Sequence, residues 1–200
     1  MEKLTFITGN HAKAKYLSDY FDLSVEHRKI ENLHEIQSLN LDEIVKEKTK
    51  AAFKIIKSPV LVEDVSLVFK AYKELPGPLI KWFLETLGNQ GLCDLLKDKD
   101  KSAFAKVSFC YCDGKNVKVF SGEREGSIAK KPQGELRFGW DPIFIPKGYT
   151  ETWAEMSADE KHQTSMRKIA LKKLKKYLKS AAGDKIGYYL RRINGKLSRN

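Results

Sequence analysis

An apolar run near the start of the chain, LTFIT over residues 4–8, stops at Gly9-Asn10, and helix-compatible sequence follows to about residue 21. The run is too short for a buried helix and Gly-Asn is a turn signal, so the segment reads as strand, tight turn, helix. A strand that feeds directly into a helix must cover a sheet face with that helix, which points to the α/β class. The rest of the chain agrees. A second strand is expected near residues 23–29. Residues 41–57 carry Ile44, Val45, Ala51, Ala52, Ile55 and Ile56 at amphipathic-helix spacing, and Pro59 ends the pattern. Val60-Leu61-Val62 is then a short buried strand that delivers Glu63 and Asp64 at its end.

Downstream, LPGP at 75–78 is a rigid turn, followed by helical sequence to about residue 96 with a break at Gly88-Asn89. Residues 103–112 and 116–126 alternate in strand fashion around Asp113-Gly114, a hairpin turn. A last helix is expected from about 159 to 178. No repeat or linker divides the chain, so the expectation is one α/β domain over 1–179 with a basic extension at 180–200.

Charge decides how that extension is read. The net charge is +11, yet residues 161–200 hold 13 Lys/Arg against the single acid Asp184, and the first 160 residues hold 24 against 25. The basic character belongs to the C-terminal end. It can neutralise phosphates of a small ligand, touch nucleic acid through Tyr188, Tyr189, Arg191 and Arg192, or be a solvated lysine-rich face. No run approaches the ~20 apolar residues of a membrane span. Strand-like sequence from the first residues leaves no room for a secretory signal, and Cys93, Cys110 and Cys112 lack metal-ligand spacing, so a cytoplasmic chain with reduced thiols is expected.

Four places can carry chemistry. Thr8-Gly9-Asn10 with Lys13 puts backbone N–H groups, a helix dipole, a hydroxyl, an amide and an ammonium at one spot, a cradle for phosphate or simply a structural turn. Glu63 and Asp64 at a buried strand end need partners. A hard cation, with Glu35 as second ligand, is one solution, a lysine or a turn cap another. Asp64 is alternatively a general base for an attacking water. Phe138 and Trp140 flank Gly139 in a loop, with Asp141 held by Pro142, and are suited to stacking a purine or to anchoring a core. Lys161, Ser165 and Arg167 open the basic helix, and a guanidinium there donates to a keto oxygen but cannot accept from an amine.

In combination and order these segments resemble the inosine triphosphate pyrophosphatase family. The similar stretches are Thr8-Gly9-Asn10 with Lys13, VLVED at 60–64, LPGPLIKWFLETLG at 75–88, FGWDP at 138–142, and Lys161 followed by Ser165-x-Arg167. The resemblance implies an elongated, two-lobed α/β fold with a central mixed sheet and a substrate cleft between the lobes. It also implies Mg²⁺-dependent hydrolysis of purine nucleoside triphosphates (ITP, dITP, XTP) to monophosphate and pyrophosphate, in a homodimer. Thr8, Gly9, Asn10, Lys13 and Lys48 would hold phosphates, and Glu35 and Asp64 would bind Mg²⁺, with Asp64 placing the water. Lys81 would lie near the substrate. Phe138, Gly139, Trp140 and Asp141 would frame base and sugar, and Lys161, Ser165, Met166 and Arg167 would line the base end. The family commonly has Ser-His-Arg where this chain has Ser165-Met166-Arg167, so one hydrogen-bond donor to the base is missing. Val65-Ser66 also departs from the family's small polar residue after the aspartate. The alternatives are a nucleotide-binding protein without turnover and a nucleic-acid-binding role through the basic end.

Overall fold

The computed structural model describes residues 4–22, 25–135 and 138–180, with side chains of the last helix described to Leu178. The expected extension at 180–200 therefore lies outside the described residues except for the backbone of Ser180.

The first unit forms as expected. Thr5–Ile7 is a strand (β1) and His11–Phe21 a helix (α1), whose N-terminus is closed by the Asn10 side chain accepting from the N–H groups of Ala12 and Lys13. The next strand is Glu26–Arg28 (β2), shorter than the sequence pattern implies, followed by the helix Leu41–Ile56 (α2), capped in the same way by Asn40. Next come Val60–Phe69 (β3), the two-residue Pro76–Gly77 (β4) and the helix Ile80–Asp94 (α3), which kinks at Gly88 where a break was expected. Ser102–Cys112 (β5) and Val117–Ile128 (β6) are the predicted hairpin, its turn fixed by Asp113 Oδ1 accepting from the N–H groups of Lys115 and Asn116. Phe144–Pro146 (β7) completes the sheet, and Ala158–Thr164 (α4) and Met166–Ser180 (α5) end the described chain.

The strands make one mixed sheet in the order β2-β1-β3-β5-β6-β7, with β4 added to β3. β1 runs parallel to β2 and β3, and the other pairings are antiparallel. Helices cover both faces. On one, Ala14, Leu17, Ile80, Leu92, Leu171 and Leu174 of α1, α3 and α5 pack on Phe6, Leu61, Leu67 and Phe109. On the other, Val45 and Ala52 of α2 pack on Val60, Val62, Cys110 and Cys112. All three cysteines are free and buried, and burial pushes the Cys93 and Cys110 thiols up to about 11.

Two expectations needed correction. β3 does not stop at Val62 but continues through Glu63 and Asp64 to Phe69, paired throughout with β5. Because side chains alternate along a strand, Glu63 and Asp64 face opposite sides of the sheet. The single helix expected near 159–178 is two. Ser165 sits in extended conformation between α4 and α5, and its hydroxyl accepts from the Arg167 N–H at 3.1 Å, so the break creates a new capped helix start. Apolar spacing ran across the junction and hid it.

α5 lies directly on the backbone of β6. A Cβ on Gly122 would fall 2.2 Å from the Met166 carbonyl oxygen and 2.9 Å from the Ala170 nitrogen. Gly122→Ala is accordingly expected to cost about 1–3 kcal/mol of unfolding free energy, read as a lower urea midpoint at unchanged m-value.

Candidate active site

β1 and its turn place the first group. The Asn10 N–H donates to Thr8 Oγ1 at 3.0 Å, while Asn10 Oδ1 accepts from Ala12 at 3.0 Å and Lys13 at 3.2 Å. The turn is therefore fixed by its own side chains, and the amide NH₂ of Asn10 is the part free to donate outward. α1 begins at this turn, and Lys13 in its first turn carries its ammonium to Glu63 at 3.4 Å.

β1 pairing with β3 ends at Ile7↔Val62, and β4 pairing begins at Leu67↔Gly77. Between them, residues 63–66 of β3 pair with a strand on the β5 side alone among the described residues. α1 leaves the carboxyl end of β1 for one face of the sheet, while α2 covers the other. A crevice outside strand ends where connections diverge to opposite faces is where α/β sheets commonly bind ligands.

Two charged clusters flank this edge, one on each face. On the α1 face, Glu63 is only 6% exposed and Arg167 8%. Glu63 Oε1 accepts from Arg167 Nε at 3.2 Å and Nη2 at 2.9 Å, with Lys13 Nζ at 3.4 Å. Burial drives the Glu63 carboxyl upward, but Arg167 and Lys13 outweigh it and the net shift is down. Burial likewise opposes the Arg167 charge, and Glu63 reverses that effect. With two cations on one carboxylate, the cluster is one positive charge in excess and suits an anion. On the α2 face, Lys48 Nζ lies 3.0 Å from Glu35 Oε2 and 3.3 Å from Asp64 Oδ2. Burial lowers the Lys48 pKa, but Asp64 and Glu35 overcome it and the net shift is up. This cluster has the opposite imbalance, two carboxylates to one ammonium, and suits an added cation.

A third group closes the α1 face. Arg167 Cζ lies 5.3 Å from the Phe138 ring centroid and Lys161 Nζ 5.7 Å from it. Lys161 also pairs with the Asp141 carboxylate, which is buried; burial raises the Asp141 pKa and Lys161 offsets only part of that rise. Gly139, at φ +45°, holds the loop in a conformation suited to glycine, and its carbonyl accepts from Asn89 Nδ2 at 3.0 Å.

The fold thus brings together Lys13, Phe138, Asp141, Lys161 and Arg167 on one side and Glu35, Lys48 and Asp64 on the other. Three expected residues sit elsewhere. Trp140 is 5% exposed and packs with Phe144 and Trp153 at ring distances of 5.8 and 5.6 Å, so it is the core anchor of the aromatic pair. Met166, 1% exposed, belongs to the main core. Lys81 is 71% exposed beside Glu85 and Trp82. A cleft of about 890 Å³ on the Asp64 face is lined by Asp42, Ser66, Lys106, Ser108, Ser121 and Lys173, and by none of the expected site residues.

Sequence reasoning missed Tyr16 and His162. Tyr16 Oη lies 3.1 Å from His162 Nδ1, and Arg167 Cζ lies 5.9 Å from its ring. Burial raises the Tyr16 pKa, partly countered by a hydrogen bond with Ser165. Tyr16 falls three residues after Lys13 on one helix, and that spacing was the available signal.

Comparison with known proteins identifies the family. The Ham1 family profile matches residues 4–177. The inosine triphosphate pyrophosphatase of Yarrowia lipolytica is 44% identical over 185 residues, covering 90% of this chain and 97% of that protein. Inosine triphosphate pyrophosphatase 2 of Trypanosoma cruzi is 43% identical over 178 residues, covering 86% and 90%. Among solved structures, a HAM1 protein from Coxiella burnetii superposes with a TM-score of 0.77 at 24% identity, covering 89% of this chain and 98% of that one. The Staphylococcus aureus Ham1 protein gives a TM-score of 0.70 at 25% identity, covering 90% and 100%. The fold is therefore that of the Ham1 structures, and on the profile match together with these near end-to-end relatives, the chain belongs to the Ham1 family.

Proposed function

We propose that the chain is a nucleoside triphosphate pyrophosphatase that hydrolyses purine triphosphates, ITP, dITP and XTP among them, to the monophosphate and pyrophosphate. The observation that carries this reading is the pair of oppositely unbalanced clusters on one sheet edge, an excess of positive charge at Lys13 and Arg167 and an excess of carboxylate at Glu35 and Asp64.

The donor set fits Mg²⁺ bound with a triphosphate. Among the described residues no group of three or more His, Cys, Asp or Glu could hold a metal ion by itself. Mg²⁺ with a triphosphate needs only one or two carboxylates, because phosphate oxygens and waters complete its shell. Glu35 and Asp64 would hold it, and when bound it would neutralise charge on the leaving pyrophosphate.

The chain's own residues do the rest. Lys13, the α1 N-terminus and the Asn10 amide bind phosphate oxygens, and Lys48 binds a second set from the opposite face. Water forms the new bond to the α-phosphorus and gives its proton to Asp64. The bridging P–O bond breaks, and pyrophosphate leaves with the electron pair. Positioning and charge neutralisation supply the rate enhancement. Phe138 offers a ring to the base, and Arg167 donates to a 6-oxo group through its Nη1 end, since Nε and Nη2 are engaged by Glu63. Met166 contributes no donor. The same reading includes a homodimer in the cytoplasm; three buried free thiols suit a reducing compartment, and among the described residues no helix is long and apolar enough to cross a membrane.

A panel of ITP, XTP, GTP, ATP and their deoxy forms, with pyrophosphate as readout and with or without Mg²⁺, is expected to give Mg²⁺-dependent release from the 6-oxo purines. Their margin over ATP should rest on Arg167, because the Met166 side chain is buried in the main core and offers the base no donor. Failure to release pyrophosphate from any triphosphate overturns the reading, and equal release from ATP and the 6-oxo purines overturns the role given to Arg167. Asp64→Asn should lower kcat by about 10²–10⁴-fold while leaving the thermal unfolding midpoint close to wild type. A variant of near-normal kcat would remove Asp64 from the chemistry.

A further inference from the structure

The Lys13 and Arg167 side chains come from helices at opposite ends of the chain, α1 and α5, yet both end on Glu63 Oε1, at 3.4 Å and 2.9 Å. Glu63 lies in mid-strand, rigidly held by pairing with Phe109 of β5. Its side chain is almost wholly buried. Tyr16 lies along α1 from Lys13, with its ring beside the same guanidinium and its hydroxyl on His162 of α4. The Arg167 backbone is fixed in turn by the Ser165 cap. Glu63 is thus the one carboxylate that the two cations share, while Tyr16 and Phe138 border the guanidinium.

We propose that Glu63 is a positioning residue that sets the spacing between the anion-binding end of the site at Lys13 and the base-binding end at Arg167. This rests on the nucleotide reading given above and deepens it. Glu63 does not touch the ligand. It holds Arg167 by two of its five N–H groups in a fork that fixes the guanidinium plane, so that the remaining N–H groups keep one orientation. It also draws the flexible Lys13 ammonium to a fixed point, lowering the ordering cost that ligand binding would otherwise carry. A ligand that spans the two cations is measured against the separation Glu63 imposes. The neighbouring Asp64 cannot substitute, because strand alternation sends it to the other face.

The test uses two half-ligands, tripolyphosphate for the Lys13 end and inosine for the Arg167 end, titrated calorimetrically into the full chain. ITP and ATP kinetics are measured alongside. In Glu63→Asp, which keeps the charge and withdraws it by one methylene, both half-ligands should weaken by about tenfold. The KM for ITP should rise more than kcat falls, and the ITP-over-ATP margin should shrink. A folded variant, judged by circular dichroism, that loses only one half-ligand or neither overturns the coupling. A wild-type chain that binds neither half-ligand overturns it as well. Should Glu63→Asp not fold, Glu63→Gln carries the test at the Arg167 end: inosine should weaken and the ITP-over-ATP margin shrink, and undiminished inosine binding overturns the proposal. If wild type binds both half-ligands but releases no pyrophosphate from any triphosphate, the hydrolase reading falls, and the titrations still decide the role of Glu63.

Discussion

Glu63 sits in the middle of the sheet with 6% of its surface exposed, and a carboxylate there has an unfavourable solvation energy unless cations replace the lost water. Arg167 and Lys13 do so, and that requirement shapes the surrounding architecture. The guanidinium must arrive from α5, so α5 must begin close to β3. Ser165 interrupts the final helical segment and caps the new start just where Arg167 turns inward. Gly122 removes the side chain that would hold α5 away from β6. Replacing a buried ion pair by apolar groups of similar volume is often neutral for stability, whereas removing one partner is costly. The cluster is thus better understood as fixing geometry than as adding stability.

The open stretch of β3 follows from strand lengths. β1 stops at Ile7 while β3 continues to Phe69, and this mismatch leaves residues 63–66 without a strand on one side among the described residues. At that edge the two faces of the sheet come within one residue of each other. Consecutive acids on a strand diverge, so Glu63 recruits cations on the α1 face while Asp64, with Lys48 and Glu35, builds the opposite charge imbalance on the α2 face. A phosphate chain carrying a divalent cation asks for that division, with positive groups for its oxygens and carboxylates for its metal.

Much of this was legible in the chain. The LTFIT-Gly-Asn unit, the amphipathic helix expected over 41–57 and the Asp113-Gly114 hairpin all formed, because local turn chemistry and apolar period agree there. The capped turn at Asn10 was legible for the same reason. The extent of β3 was not. Two adjacent acids look like a strand end, since the cationic partners of Glu63 lie 50 residues before and 104 after it in sequence. The break at Ser165 was hidden because apolar spacing ran through it.

The sequence by itself determined which chemical groups exist and the local elements that carry them, since caps, turns and amphipathic period act over a few residues. It left open which of Phe138 and Trp140 was core, and whether the acids met lysines, a turn or a metal. Only the tertiary structure decided that Trp140 packs against Phe144 and Trp153 while Phe138 stays beside Arg167 and Lys161. Tertiary structure likewise decided that Glu63 and Asp64 serve different faces. The physical reason is that burial and ion pairing depend on distances between segments far apart in the chain, and those distances are set by sheet order and helix packing.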